Sequence, residues 1–437
     1  MTLYVIIGLG VAGISAAETI RSIDQTGSIT LIGDDKHGYY SKPGLAYYLT
    51  EEVNQAQLFP FSPKDMKSIN ARFINGSVIK IIVDDQLVEL SDGRKIPFDR
   101  LLLAVGARTI KLNLPGAALN GVIKLDHMDD AQKIVEIAKR GQTAVVIGGG
   151  ITALELAEGL SARKVKVHML IRTRHYWSNV LDEVESEIIE KRMVKDGIKI
   201  NPLSEVEEII ENHGKVGGVK LTNGKIIKCD IVAYAIGVSP QLALARSAGI
   251  SCDRGILVNA NLQTNLRNIY SAGDAAQVFD PISGRSILDS LWAPAKEQGA
   301  VAGLNMAGVE KAYKKPVPVN VTRLAGLTTT IIGMVGSGRD GEPYTIARGD
   351  SETWREVPDA IIAQNGFDIN HMRLMVSKQK IVGALLMGDQ KLSKPLQEII
   401  QDGIDILPIR EMLLADNAPI ADIIAKFWSQ VHTNKIN

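Results

Sequence analysis

The chain has 437 residues, 45% of them hydrophobic and 22% charged, and its 49 basic side chains equal its 49 acidic ones in number. This length predicts two or three globular domains, and the absence of net charge excludes a general attraction to nucleic acid or anionic lipid. No run of about 18 apolar residues occurs, so we predict no membrane span. Two cysteines, Cys229 and Cys252, are too few for a disulfide framework or a tetrahedral metal site, which favours a reducing, cytoplasmic setting.

Apolar runs separated by glycine turns predict the elements at the start of the chain. They are a strand (3–7), a glycine turn (8–13), a helix (14–23), a strand (28–32) and a β-meander (73–76 and 78–90, with a turn at 91–93).

The first turn holds the pattern Gly8-x-Gly10-x-x-Gly13. The first glycine makes the turn, the second lets the backbone approach a pyrophosphate, and the third allows close helix packing. Amides at the helix start then face the anion. Asp34 and Asp35 end the second strand, where an acid binds ribose hydroxyls. We therefore predict a dinucleotide site at this turn.

A second unit of the same kind begins at Thr143. Its predicted elements are a strand (144–147), a glycine turn (148–150), a helix (152–162) and a strand (165–171). Its fingerprint is Gly148-x-Gly150-x-x-Ala153, and Gly148 lies 140 positions after Gly8. Two copies at this distance indicate a duplicated fold and are too far apart to be solenoid repeats.

The last strand of the second unit ends differently from that of the first. Ile171 stands where an acid would bind an unphosphorylated ribose, and Arg172, Arg174 and His175 follow it. A guanidinium group donates two parallel hydrogen bonds to phosphate oxygens, so the pattern predicts a 2′-phosphate and a preference for NADPH over NADH. The alternative interpretation is a solvated, basic strand end.

The later part of the chain changes its rhythm. The predicted elements are strands at 214–221 and 225–235, which turn at 223–224, short strands from about 317 that include 371–376 and 380–387, and helices from 393. This change predicts a C-terminal domain of α+β type. Both cysteines lie far in sequence from residues 39–45, the loop discussed below, and we expect them to be structural.

Three more motifs accompany the two fingerprints. They are LLLAVGA (101–107, with Val105 for a threonine), AYAIGVSP (233–240) and TNLRNIYSAGD (264–274). On these motifs, residues 1 to about 310 resemble the pyridine nucleotide-disulfide oxidoreductase superfamily. Within it they resemble the single-flavin branch: rubredoxin and ferredoxin reductases, NADH oxidases and the flavin part of nitrite reductases. The resemblance implies that Asp274 binds the ribityl chain of FAD.

The resemblance also implies an α/β fold with two Rossmann-like nucleotide-binding domains, similar to glutathione reductase, followed by the C-terminal α+β domain. The FAD-binding domain is then discontinuous, at 1–112 and 239–317, and is interrupted by the NAD(P)H-binding domain at 113–238. Residues 318–437 are expected to form an interface domain, and the protein to be a homodimer. The helix after Leu291 would aim its positive end at the flavin ring.

The expected ligand contacts follow from the fingerprints and the resemblance together. For FAD they are Gly8, Gly10, Val11, Ala12, Gly13, Asp34, Asp35, Lys42, Pro43, Ala104, Gly106, Gly273, Asp274, Trp292 and Glu297. For NAD(P)H they are Gly148, Gly150, Ile151, Thr152, Ala153, Glu155, Arg172, Arg174, His175, Ile236 and Gly237. No metal is expected.

The loop at 39–45, YYSKPGL, departs from the disulfide reductases. Those enzymes carry a redox cysteine pair here, and the peroxide- or oxygen-handling relatives a single cysteine. This loop has neither, and its Ser-Lys-Pro order is similar to rubredoxin-reductase-like members. The resemblance implies that Lys42 lies beside the flavin and tunes it, the alternative being a surface lysine before a helix.

The predicted reaction passes hydride from the nicotinamide to the flavin and then electrons to an external acceptor. The acceptor is a small redox protein, a partner subunit, a quinone or oxygen. The chemistry belongs to the cofactor, so we name no side chain as an essential acid or base. The alternative from another class is a slow-turnover flavoprotein that acts as a redox-sensing regulator; within the enzyme class it is an NAD(P)H oxidase.

Overall fold

A computed structural model describes residues 1–61, 63–281, 284–336, 345–349 and 369–436. Contacts within the chain group these residues into two compact units. Unit 1 consists of Met1–Gly148, Glu155–Val167 and Val206–Lys315, and unit 2 of Gly149–Leu154, His168–Glu205 and Pro316–Asn437. Within the described ranges, no helix is both long enough and apolar enough to cross a membrane.

The strands and helices of the described residues are numbered here in chain order. The strands are β1 (Leu3–Ile7), β2 (Ser28–Gly33), β3 (Ala71–Asn75), β4 (Val78–Ile82), β5 (Leu87–Leu90), β6 (Lys95–Pro97), β7 (Arg100–Leu103), β8 (Ala107–Thr109), β9 (Val122–Ile123), β10 (Thr143–Ile147), β11 (Lys166–Leu170), β12 (Ile198–Asn201), β13 (Val206–Asn212), β14 (Lys215–Leu221), β15 (Ile226–Lys228), β16 (Ile231–Tyr234), β17 (Val238–Pro240), β18 (Ile256–Leu257), β19 (Ile269–Ser271), β20 (Ala276–Asp280), β21 (Arg285–Leu288), β22 (Val319–Leu324), β23 (Leu327–Gly333), β24 (Thr345–Gly349), β25 (His371–Val376) and β26 (Ile381–Met387). The helices are α1 (Val11–Ile23), α2 (Gly44–Leu49), α3 (Pro63–Ser68), α4 (Met128–Ile137), α5 (Ile151–Ala162), α6 (Glu183–Lys195), α7 (Ala243–Ser247), α8 (Trp292–Met306), α9 (Ser393–Gln401), α10 (Leu407–Leu413) and α11 (Ile420–Ile436).

A parallel sheet of order β19-β7-β1-β2-β3, with strands from the first and last segments of unit 1, forms the centre of one part of this unit. The β1 sequence LYVII is apolar throughout because both faces of the sheet are covered. Helices α1 and α8 cover one face, and the meander β4-β5-β6 contributes to the core on the other. Small residues allow α1 and α8 to touch, since a Cβ at Gly303 would lie 2.7 Å from the carbonyl oxygen of Ala16.

A second set of parallel strands in unit 1 pairs in the order β10-β16-β9. Residues 107–109 and 238–240 pair as the antiparallel strands β8 and β17, so the two passages of the chain into and out of this region run side by side. The sequence run 225–235, predicted as one strand, is two. Its first part, β15, pairs with β14, and its second part, β16, joins the parallel set.

The C-terminal part of unit 2 is an antiparallel sheet of order β22-β23-β26-β25-β24 with helices α9, α10 and α11 packed on it. The predicted α/β fold with two Rossmann-like domains and a C-terminal α+β domain is confirmed. The domain boundaries given above stay predictions.

A buried ion cluster lies inside unit 2. The Glu185 side chain is fully buried and pairs with the Arg373 guanidinium at 2.8 Å and with His371 Nε2 at 3.1 Å. Arg373 also donates to the carbonyl oxygen of Val180 at 2.8 Å, and Asp182 pairs with Arg348. These contacts tie the start of α6 to strands β24 and β25.

Candidate functional site

A cavity of about 300 Å³ opens at the carboxyl ends of the parallel strands in unit 1. Open parallel sheets bind their ligands at this edge. The residues that line it are Gly8, Leu9, Gly10, Val11, Ala12, Gly33, Asp34, Asp35, Gly38, Tyr39, Tyr40, Lys42, Pro43, Ala104, Val105, Gly106, Ala107, Arg108, His127, Gln241, Ala272, Gly273, Asp274, Ser290, Leu291, Trp292 and Ala295.

The glycine turn between β1 and α1 shows why three glycines are needed. Gly8 has φ +118°, and a Cβ there would overlap the carbonyl oxygen of Ala104. A Cβ at Gly13 would overlap the carbonyl oxygen of Gly8. A Cβ at Gly10 would meet no atom within 4 Å, so this residue faces empty space at the start of α1. That space is where a pyrophosphate would receive the amides of the helix.

The two acids after β2 are not equivalent. Asp35 accepts hydrogen bonds from the Tyr40 hydroxyl at 2.8 Å and the His37 amide at 2.9 Å. Burial raises the pKa of Asp35, but the His127 imidazole 3.6 Å away and the hydrogen bonds from His37 and Tyr40 outweigh it and bring the pKa below its usual value. Asp34 is half exposed and pairs with Arg108 at 2.8 Å. Asp35 therefore holds its own loop, which leaves Asp34 as the better acceptor for ribose hydroxyls.

The closing motif places Asp274 in the same cavity as Lys42. Gly273 adopts φ +78°, and its amide donates to Oε1 of the fully buried Gln298 at 2.8 Å, which fixes the turn. Burial raises the pKa of Asp274, the positive charge of Lys42 opposes this rise, and Asp289 adds to it. Lys42 and Asp274 thus line the same cavity, and the role of Lys42 beside a flavin stays a prediction.

The first turn of α8 contributes Trp292 and Ala295 to the cavity, with Trp292 45% exposed. Glu297, predicted at the flavin, does not line the cavity; its side chain is exposed. Its neighbour Gln298 points inward instead and holds Gly273. The helical period explains the difference, because adjacent helix residues lie about 100° apart around the axis.

Sequence reasoning missed six polar residues that line the cavity, none of which belongs to a glycine fingerprint. They are Tyr39, Tyr40, Arg108, His127, Gln241 and Ser290. Gln241 donates to the carbonyl oxygen of Val105 at 2.6 Å, and the Tyr40 hydroxyl accepts from the Met128 amide at 2.9 Å. Two of them could have been found from their place in the chain, because Arg108 and Gln241 directly follow the predicted crossover motifs at 101–107 and 233–240.

Neither cysteine lines the cavity in the described part of the chain. Cys229 is buried, and burial raises the pKa of its thiol to about 12. Burial also raises the pKa of Cys252, which is partly exposed. Both thiols are therefore held in the protonated, unreactive form at neutral pH.

A second cavity of about 1100 Å³ continues the first, since Gly8, Gly33, Asp34, Arg108 and Gln241 line both. It runs past Asp34 along the start of β4. Together the two cavities offer a long site, with the glycine turn in the middle. This shape and the empty space at Gly10 fit an extended dinucleotide such as FAD.

The second fingerprint repeats the backbone geometry of the first. Gly148 has φ +145°, and a Cβ at Gly150 would meet no atom within 4 Å. Ala153 is fully buried in α5 and takes the place of the third glycine. Gly237, from the predicted crossover at 233–240, also has a positive φ of +115°, and Ile236 beside it is 38% exposed.

The strand end in unit 2 is basic, as predicted. Ile171 is buried, and its side chain packs against the glycine turn, since a Cβ added at Gly149 would lie 3.4 Å from Ile171 Cγ2. Arg172 and Arg174 are exposed, and no ion pair joins either to an acid among the described residues. His175 faces Glu183 at 3.4 Å and Glu190 at 3.9 Å, which disfavours a phosphate at that position.

Glu155 lies on α5, two residues after Ala153, in the predicted coenzyme site. Burial raises the pKa of its carboxyl to about 7. Its charge therefore changes within the working range of a neutral-pH enzyme. Glu155 is only partly exposed, and its predicted contact with the coenzyme stays a prediction.

Residues 2–299 match the pyridine nucleotide-disulphide oxidoreductase family. An NADH oxidase of Methanocaldococcus jannaschii is 28% identical over 89% of this chain and 88% of its own length. An NADH-rubredoxin oxidoreductase of Clostridium acetobutylicum is 26% identical over 91% of this chain and 94% of its own length. Its crystal structure superposes with a TM-score of 0.73, at 25% identity over 93% of this chain and 96% of that one.

A nitrite reductase [NAD(P)H] of Bacillus subtilis is 27% identical over 92% of this chain, and the chain spans only 47% of that relative's length. The family match covers both glycine fingerprints, the crossover motifs, the closing Asp274 and the first turn of α8. The chain belongs to the pyridine nucleotide-disulphide oxidoreductase family and is an FAD-dependent NAD(P)H oxidoreductase.

Proposed function

We propose that the protein takes electrons from NADPH and passes them directly from its flavin to an external acceptor, without a protein thiol. The observation that carries this proposal is the composition of the cavity. It combines the glycine turn, Asp274 and Lys42, and no cysteine lines it among the described residues. The high pKa of the Cys229 thiol supports the same conclusion.

Bound FAD would supply the chemistry of accepting two electrons from a nicotinamide and releasing them to an acceptor. The chain would hold it with the amides at Gly10 and the start of α1 on the pyrophosphate. Asp34 would accept from a ribose, and Asp274 from the ribityl chain. Lys42 and the N-terminus of α8 would offset negative charge at the ring.

NADPH is the proposed coenzyme because of the strand end at 171–175. Arg172 directly follows the buried Ile171, is exposed and has no described acidic partner. Its planar guanidinium would pair with the two phosphate oxygens that NADH lacks. Arg174 would add a second positive charge near the 2′-phosphate, whereas His175 lies beside Glu183 and Glu190.

The proposed acceptor is a small redox protein or a partner subunit. Two relatives in the family are named NADH oxidase and NADH-rubredoxin oxidoreductase. Reduction of an external protein suits a cavity that opens beside the exposed Trp292 and lacks a thiol relay. We propose that the protein works in the cytoplasm as a homodimer, with the C-terminal α+β part as the interface.

The test is stopped-flow reoxidation of the NADPH-reduced protein against oxygen, rubredoxin, ferredoxin and a soluble quinone. A redox protein should reoxidise the flavin at least tenfold faster than air-saturated buffer does. If oxygen alone sustains turnover at the rate of flavin reduction, the protein is an oxidase. If no acceptor reoxidises it within minutes, the proposed electron-transfer function is wrong.

A further inference from the structure

Helices α2 and α5 touch at a single glycine in unit 1. A Cβ at Gly159 of α5 would lie 2.6 Å from Leu49 Cβ and 3.3 Å from Leu49 Cδ1. Leu49 is fully buried, and its Cβ is fixed to the backbone, so it cannot swing away as the end of a long side chain would. Carbon atoms in contact settle at about 3.5–4.0 Å. Glycine is therefore required at 159 for the two helices to be this close.

A second contact lies just beyond the C-terminal ends of the same two helices. Arg163 follows α5 four residues after Gly159 and pairs with Glu51, two residues after Leu49, at 3.1 Å between Nη1 and Oε1. Glu51 adopts a left-handed backbone with φ +67°. Glu51 is solvent-exposed, so the pair contributes little energy, and Gly159 sets the distance.

Each helix begins at a ligand site. Helix α2 starts at Gly44, directly after Lys42 and Pro43, which line the flavin cavity. The amide of Leu45 donates to the carbonyl oxygen of Lys42 at 3.1 Å, so the loop moves with the helix. Helix α5 starts at Ile151, directly after the turn Gly148–Gly150 of the second fingerprint.

We infer that the contact between Gly159 and Leu49 sets how closely the nicotinamide approaches the flavin, and that Gly159 is a positioning residue for hydride transfer. The inference rests on the proposed binding of the coenzyme at Gly148–Ala153. Hydride transfer needs reacting atoms about 3–3.5 Å apart, and a displacement of about 1 Å costs on the order of 100-fold in rate. A methyl group at Gly159 forces a displacement of about that size.

The test compares Gly159→Ala with wild type in four measurements: thermal midpoint, FAD content, the dissociation constant of oxidised coenzyme, and the change in flavin absorption that saturating oxidised coenzyme produces. Anaerobic stopped flow adds the limiting rate of flavin reduction. We expect FAD content and the dissociation constant to stay within about twofold. The absorption change should shrink, and the limiting rate should fall about 10- to 100-fold.

The matched control is Gly218→Ala. A Cβ at Gly218 would lie 2.9 Å from the carbonyl oxygen of Ile227, a comparably tight place within the β14–β15 pair, away from both helices. It should lower the thermal midpoint and leave the reduction rate unchanged. The double variant Leu49→Gly, Gly159→Ala adds a Cβ to α5 and removes the Leu49 side chain of α2 that this Cβ would meet. It should lose more stability than either single glycine variant but recover most of the reduction rate.

The inference is overturned if Gly159→Ala is reduced at the wild-type rate, or if Gly218→Ala slows reduction equally. It is also overturned if a folded double variant remains as slow as Gly159→Ala. Should the double variant not fold, the comparison of the two single variants decides. If wild type itself is not reduced by either coenzyme, the proposed function fails, which differs from every outcome above.

Discussion

The two glycine turns of this chain have the same backbone and different strand ends. Gly8 and Gly148 both adopt positive φ, and Gly10 and Gly150 both face empty space. After β2 come two acids, Asp34 and Asp35, whereas after β11 come the buried Ile171 and the exposed Arg172. In the proposed function the shared turn would bind the pyrophosphate that all dinucleotides carry. The strand end would select which dinucleotide binds, and both roles can be tested directly.

The largest expected effect comes from filling the space at Gly10. Gly10→Leu should cut the FAD content to under about a tenth, because the side chain would occupy the place of the pyrophosphate while the protein itself has room for it. Flavin absorbance per chain measures this. Gly150→Leu is the matched variant: it should keep its FAD and raise the KM for NADPH at least about tenfold. Full flavin occupancy in Gly10→Leu would break the comparison.

The second prediction concerns the basic strand end. Arg172→Ala should remove one charge-assisted contact to the 2′-phosphate, worth about 1.5–3 kcal/mol, and reduce the preference for NADPH over NADH roughly 10- to 150-fold. The measurement is the ratio of flavin-reduction rates with the two coenzymes. Arg174→Ala serves as the control, with a smaller loss. A wild type that prefers NADH, or an unchanged preference in Arg172→Ala, contradicts the assignment.

The third prediction concerns a charged residue that helix α5 has and helix α1 lacks. Glu155 of α5 occupies the position equivalent to the uncharged Ser15 of α1, 140 residues earlier. With its pKa raised to about 7, the folded protein holds a proton that the unfolded chain releases above pH about 4.5. The free energy of unfolding of wild type should therefore fall by about 1–3 kcal/mol between those two pH values.

Glu155→Gln should lack this dependence, so the difference in free energy of unfolding between the two proteins should grow as pH rises from about 4.5 to about 7 and level off above that. Urea titrations at pH 5, 6, 7 and 8 measure it, with Ser15→Ala as the control that leaves the slope unchanged. Parallel pH profiles for wild type and Glu155→Gln would show that the Glu155 carboxyl titrates normally.

The fourth prediction tests the tuning role of Lys42. Lys42→Ala should shift the flavin absorption spectrum and slow reduction by NADPH about 3- to 10-fold. The effect is modest because the Lys42 side chain is solvent-exposed and its charge is screened. Loss of its positive charge should also raise the pKa of Asp274 further. Lys36→Ala removes a nearby exposed lysine that pairs with Asp129 instead, and should leave spectrum and rate unchanged.

The smallest expected effect is that of removing both thiols. The variant Cys229→Ser, Cys252→Ser should keep its turnover with an artificial one-electron acceptor, and anaerobic dithionite titration of wild type should consume two electrons per FAD. A thiol relay needs a sulfur within about 3–3.5 Å of the ring, and neither cysteine lines the flavin cavity. Uptake of four electrons would require a disulfide mechanism.

The sequence predicted what is local and missed what depends on distant partners. The turns at Gly8 and Gly148 were predictable because strand, glycine spacing and helix follow one another in the chain. The different environments of Asp34 and Asp35 were not predictable. Asp35 accepts a hydrogen bond from Tyr40, whose hydroxyl accepts one from the amide of Met128, 88 residues away. Glu297 and Gln298 could not be distinguished either, because motif resemblance does not fix the rotation of a helix.

The buried pair of Glu185 and Arg373 has a consequence for any shortened form of the protein. A lone charge left in an apolar interior costs about 3–5 kcal/mol, a large fraction of the stability of an ordinary domain. A chain cut after Lys315 would keep Glu185 and lose both Arg373 and His371, the two side chains that contact its carboxylate. Such a fragment should therefore be open to proteolysis around residues 180–195, and a compensating Glu185→Leu substitution should restore its resistance.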